Sequence, residues 1–173
     1  MNRLMPPVPR GFRPPRVKNA NSGRAAFHAY DWYYEWMRKF LPRDESVFLV
    51  PCAATKPIHT SPLHRNIYQK IAAREGLGRI TLVVSEPVVL IRYSDLVVLE
   101  KTFCYDFPPK FLSAGARDLF VARLQTLLTG KDIIGCLPRH HASLVDDAVG
   151  LNRWKNLWTG DLFSMMRNAN PPH

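Results

Sequence analysis

Cys52, Thr55, Lys56, His59, Ser61 and His64 fall within one short stretch, VPCAATKPIHTSPLH. Lys56 can bind a phosphate or stabilise a departing anion. Once desolvated, its amine can also attack a carbon to form a Schiff base. His64, on the first turns of a helix, would donate to an anion with help from the helix's positive end. Cys52 as a nucleophile needs a base partner, and none lies beside it in sequence, so it reads as a small thiol in a binding pocket. Two carboxylates stand out further along. Glu86 sits between Ser85 and Pro87, and Asp106 follows Tyr105. A run of Arg139, His140 and His141 completes the set. Adjacent histidines point apart, and Cys52, His59 and His64 lack a fourth ligand at a usual spacing. No metal and no other cofactor is therefore expected.

These side chains need elements to position them. Val47–Val50 is a continuous apolar run that suits a strand buried on both faces. Pro51 ends it, having no N–H for a ladder. Ser61 and Pro62 open a helix as N-cap and first residue, and Leu63, Ile67 and Ile71 give it a core face. A second strand, 80–84, exits at Ser85-Glu86-Pro87, with a short further strand over 88–91 and a weaker one over 97–99. A loop covers 100–110. A third strand, 132–137, exits at Pro138 and the histidines. Helices are expected over 25–41, with a stripe of Phe27, Tyr30, Tyr34, Met37 and Leu41, over 113–128, and, as one helix or two, over 146–166. Alternating strands and helices predict an α/β fold: a small, mostly parallel sheet sandwiched by helices in three layers. Parallel strands end on one edge, so Lys56, Glu86 and His141 are expected to share a pocket there.

With Lys+Arg 24 against Asp+Glu 14, the 173-residue chain carries a formal charge of +10. Such a surplus favours a polyanionic partner. Residues 1–24 hold Arg3, Arg10, Arg13, Arg16, Lys18 and Arg24 and no acid, with prolines that keep the backbone extended. They read as a basic flexible tail lying along phosphates, ahead of a single catalytic domain over 25–173. Three cysteines without a C-x-x-C pair argue for reduced thiols and a cytoplasmic protein. No stretch approaches the ~20 apolar residues of a membrane span, so no membrane partner is expected.

Pro51-Cys52, Lys56-Pro57, Ser61 and His64 form the spacing P-C-x-x-x-K-P-x-x-x-S-x-x-H. This resembles the core domain of archaeosine synthase, whose signature is PCSxxKPYxxSxSH. Ser85-Glu86-Pro87 and Tyr105-Asp106 are similar to that domain's later segments, so the likeness runs from about Val47 to Leu128. Ala53, Ile58 and Leu63 depart from the signature, and the tRNA-binding modules that flank the domain in archaeosine synthase are absent from this sequence. The resemblance implies the fold and a nucleobase pocket more than the chemistry on 7-deazaguanine. More loosely, the chain resembles uracil-DNA glycosylases and the small bacterial glycosylases that remove bulky bases from phage DNA. Those share a three-layer α/β/α sheet, one catalytic loop after the first core strand and a His-containing loop after the last. His141-Ala142-Ser143 is a faint echo of the latter.

Cleaving an N-glycosidic bond requires a carboxylate near the cationic sugar, a donor or cation near the leaving base, and a base drawn out of the stack. The expected catalytic set is Glu86, Asp106, Lys56 and His64. Cys52, Thr55, Ser61, Ser85, Tyr105, His141 and Arg139 are expected to bind the base, with Tyr105, Phe103 or Trp154 stacking on it. Arg65, Arg92, Arg13 and Arg16 are expected on the backbone phosphates. The leading expectation is a DNA glycosylase for a modified, phage-type base. The alternatives are an archaeosine-type enzyme acting on tRNA and a non-catalytic nucleic-acid module.

Overall fold

The computed structural model describes residues 4–67, 71, 73–108 and 112–158. Two helices come first, α1 (Ala20–Ala29) and α2 (Asp31–Phe40). Asn19 caps α1: its side chain accepts from the Ser22 N–H at 3.0 Å, while Ser22 Oγ accepts from the Asn19 N–H. The single helix expected over 25–41 is thus two helices that break at Tyr30. The break resets the phase, so Tyr33, Trp36 and Met37 face the core, and Tyr34 is only half-buried.

Strand β1 (Ser46–Pro51) follows, and it is central. It pairs in parallel with β2 (Ile80–Ser85) on one side and with β4 (Asp132–Gly135) on the other. Val47, Phe48 and Leu49 are fully buried, which explains the unbroken apolar run. Between β1 and β2 lie a 3₁₀ turn at Ile58–Thr60, then α3 (Pro62–Ile67) and the short α4 (Ala73–Glu75). β3 (Val89–Arg92) returns antiparallel to β2. The weak strand expected over 97–99 is instead the end of helix α5 (Tyr93–Val98), followed by a 3₁₀ turn at Glu100–Phe103. α6 (Ala114–Leu128) starts at the Ser113 cap, as the sequence predicts.

The last expected helix is displaced. Helix α7 (Arg139–Val149) begins immediately after the third strand exit and stops at Gly150, φ +97°. A two-residue strand, β5 (Lys155–Asn156), then adds in parallel to β4. The rest of that expected helix lies beyond the described residues. Sheet order is β3-β2-β1-β4-β5, with helices flanking a five-stranded, mostly parallel sheet. The fold is a three-layer α/β/α arrangement: α6 packs on α1, α2 and α7, while α5 packs on the 3₁₀ turn that α3 also touches.

The basic N-terminal segment does not stand clear of the domain. Val17 is buried, and Phe12 packs edge-on against Tyr30 and Trp32. The Val17 N–H donates to the Asp106 carbonyl, and the Asp106 N–H donates to the Pro15 carbonyl. No helix among the described residues is long and apolar enough to cross a membrane.

Candidate active site at the strand exits

Because β1, β2 and β4 run parallel, their C-terminal ends open on one edge of the sheet. β1 delivers Cys52, whose N–H still donates to the Val84 carbonyl at 3.0 Å. The turn from β2 to β3 delivers Glu86. The first turn of α7 delivers His140 and His141. Val89, directly after that β2–β3 turn, is fully buried with φ +87°. A β-branched residue there costs about 1–3 kcal/mol, so surrounding packing holds the turn in place.

Glu86 is the centre of the cluster. The residue is buried, 5% exposed. His140 Nε2 donates to Oε1 at 2.7 Å, and His141 Nε2 lies 3.1 Å from Oε2. Burial alone would push the carboxyl up, but the hydrogen bonds from His140 and His141 outweigh it and hold the group well below the usual carboxylate range. Burial would lower His141. Its contacts with Cys52 and Glu86 win instead and carry it to about 10. Cys52 Sγ lies 3.8 Å from the same His141 Nε2. His141 Nδ1 is buried with no hydrogen-bond partner among the described residues. The adjacent histidines, expected to point apart, do not do so here. Both rings turn toward one carboxylate, with centroids 5.3 Å apart. His140, outside the expected catalytic and base-binding sets, sits half-exposed at the rim; the paired histidines after a strand exit are its signal in the sequence.

Lys56 borders this cluster. Its ammonium donates to the Ala53 carbonyl at 2.8 Å and lies 4.5 Å above the Tyr105 ring. Burial lowers its pKa, against the pull of Cys52, Cys104, Asp106 and Glu86. The expected convergence of Lys56, Glu86 and His141 on one edge is therefore what the fold produces. The Lys56–Pro57 and Glu86–Pro87 peptides are both cis.

Several other expectations are corrected. His64 is buried, and its Nε2–H donates to the Pro51 carbonyl, so it fastens the β1 exit and cannot reach a base. Burial brings its pKa down to about 4. Ser61 uses its hydroxyl to cap α3, accepting from the His64 N–H at 3.1 Å. Tyr105 and Phe103 are core residues, which removes them as stacking platforms. Tyr105 shares a short hydrogen bond with Ser85, beneath Lys56. Trp154 is partly buried and donates to Asp146 at 2.8 Å. Arg92 makes a two-pronged pair with Asp95, both contacts at 2.8 Å, and lies over Trp36. Its guanidinium is committed inside the domain rather than to phosphates. Asp106 is exposed, and its backbone is bridged to Arg16. Thr55, Arg13, Arg16, Arg65 and Arg139 are exposed.

A cavity of about 290 Å³ opens elsewhere, lined in part by Arg38, Arg43 and Lys131. Lys131 and Arg43 precede β4 and β1, so it lies at the opposite end of the sheet. Arg38 is paired with Glu35, and Lys131 donates to the Arg43 carbonyl.

No family model matches this chain, and no curated protein matches it. The crystal structure of AF0587, a protein of unknown function, is similar in fold: the TM-score is 0.52 at 16% identity, covering 82% of this chain and 50% of that one. This chain thus spans half the length of that relative, and the likeness is one of fold alone.

Proposed function

We propose that the chain is a DNA glycosylase that hydrolyses the N-glycosidic bond of a modified nucleobase. The observation that carries this reading is Glu86: a buried carboxylate at the strand exits, clamped by two imidazoles, beside a desolvated lysine. Such a carboxylate faces a developing sugar cation without reorganising, and in a water-poor setting its charge acts strongly. In the proposed step the C1′–N bond breaks and its electron pair leaves with the base. The Lys56 ammonium stabilises that anion, and a water adds its hydroxide to C1′ while its proton passes to the departing base. The bulk of the modification is accommodated at the rim, where His140, Thr55 and Arg139 are exposed.

The test is incubation with duplexes carrying bulky modified bases, followed by alkali. Strand breaks at abasic sites are expected, reduced at least about 100-fold in Glu86→Gln. No abasic sites on any modified DNA would overturn the reading.

A second reading is favoured by one contact. Cys52 Sγ beside His141 Nε2 is a thiol next to an imidazole that can hold it as a thiolate, which addition to an electrophilic 7-deazaguanine in tRNA would use and hydrolysis would not. Transfer of labelled lysine to such a tRNA, lost in Cys52→Ser, without base release from DNA, would select it.

A further inference from the structure

We infer that Cys52, Glu86 and His141 form a zinc site. Their ligand atoms, one from each of three elements, all lie within 4.8 Å of one another, and two of the three residues are buried. The spacing fits a tetrahedral ion. Zinc–nitrogen and zinc–oxygen bonds near 2.0–2.2 Å and a zinc–sulfur bond near 2.3 Å give edges of about 3.4 Å for N···O and about 3.6 Å for S···N. The observed edges are 3.1 Å from His141 Nε2 to Glu86 Oε2 and 3.8 Å from Nε2 to Cys52 Sγ. Shifts of a few tenths of an ångström bring these two edges to tetrahedral values, and the third, from Cys52 Sγ to the Glu86 carboxylate, lies within 4.8 Å and closes by up to about 1.2 Å.

Nε2 faces both the sulfur and the carboxylate, yet a ring nitrogen carries at most one hydrogen and can serve both only by splitting it into a weaker three-centre bond. A cation between the three accepts a lone pair from each. An outer partner is also in place. The other Glu86 oxygen accepts from His140 at 2.7 Å, the kind of bond that orients a ligating carboxylate. His141 Nδ1 would keep the hydrogen, and it has no acceptor among the described residues. That gap sets the affinity below that of a site with complete outer bonding. The donor set selects the metal. A thiolate with one imidazole and one carboxylate suits zinc, whereas magnesium and calcium demand oxygen ligands.

Three protein ligands leave a fourth position for water, the pattern of catalytic rather than structural zinc. Zinc brings such a water's pKa to about 7, so the loaded site would hold a hydroxide nucleophile. Glu86 would then be a ligand, and the negative charge offered to a sugar would be the hydroxide's. The site needs only the three donors and stands whether or not base release is the reaction.

The test uses the full chain, stripped with a chelator and titrated with zinc against a chromophoric competitor, then with cobalt(II). About one equivalent per chain is expected, with a sulfur-to-cobalt charge-transfer band in the near ultraviolet. Cys52→Ser and His141→Gln are each expected to weaken zinc at least about 10-fold, with circular dichroism and urea midpoints checking the fold; His59→Gln and Cys104→Ser are expected to leave it unchanged. Sub-stoichiometric binding, or binding indifferent to Cys52→Ser and His141→Gln, overturns the site. So does cobalt bound by the unaltered protein without the thiolate band, a result that needs no variant to fold. Zinc binding without base release would leave this site intact while removing the glycosylase reading.

Discussion

His64 shows how a reactive residue type can serve structure. It lies in the same motif as Lys56, and the motif spacing could not separate the two. What separates them is direction: His64 turns inward to the Pro51 carbonyl, and Lys56 stays beside the cluster. Replacing His64 with Leu leaves that carbonyl unpaired and is expected to cost about 1–3 kcal/mol. The same residue has a pH signature. Its folded pKa, about 4, lies below the unfolded value of about 6.5, so the unfolded chain takes up the proton first. Stability is therefore lost as pH falls from about 6.5 toward 4, by up to about 3 kcal/mol in all. Urea midpoints at pH 7 and pH 5 should differ less in His64→Leu than in the unaltered protein, and an equal difference would assign the effect elsewhere. The depressed Glu86 carboxyl acts in the same direction only below its ordinary range, and the raised His141 is common to both proteins. Glu86 itself was legible as a carboxylate at a strand exit before a proline, although the fold buries it. Of its two imidazole partners, 54 and 55 residues away, His141 was expected at the same edge, whereas His140 was not, because ring direction on a helix's first turn depends on where that helix starts.

At the scale of elements, apolar runs marked the three parallel strands and proline marked their exits, because both signals are local. What escaped depended on neighbours. β5 is two residues long and exists only because Trp154 and Asn156 dock against β4; Asn156 bonds both ways with Leu137, at 3.0 and 2.9 Å. The α2 phase depended on a break at Tyr30, whose hydroxyl donates to the Thr102 carbonyl at 2.7 Å. Gly135 is the tightest point of this assembly. A Cβ there would meet Leu49 Cβ at 3.0 Å, the Leu49 carbonyl at 3.1 Å and the Trp154 ring at 3.2 Å. Gly135→Ala is expected to push β4 off β1, costing about 1–3 kcal/mol in a denaturant titration. Because β4 feeds the helix that carries both histidines, the substitution should also weaken zinc binding. An unchanged midpoint would show that the strands give way without strain.

For the whole molecule, the net charge is +10, and residues 1–24 hold six basic residues and no acid. Arg10, Arg13 and Arg16 are exposed along a segment bridged to the Asp106 loop, which joins the basic arm to a loop near Lys56. On the glycosylase reading, changing all three to Ala should weaken DNA uniformly across sequences and flatten the salt dependence by about one unit of slope per lost phosphate contact. A slope unchanged in the triple variant would remove the arm from the interface. The α/β/α class followed from the alternation of strands and helices, and the shared edge followed from their parallel course; the partner of that edge is a matter of chemistry that charge alone leaves broad. The most direct measurement is mass spectrometry of small molecules released from phage DNA with bulky modified bases, comparing the unaltered chain with Glu86→Gln. A free modified base is expected from the former and at least about 100-fold less from the latter. Absence of any released base, or equal release by both proteins, would contradict the glycosylase reading.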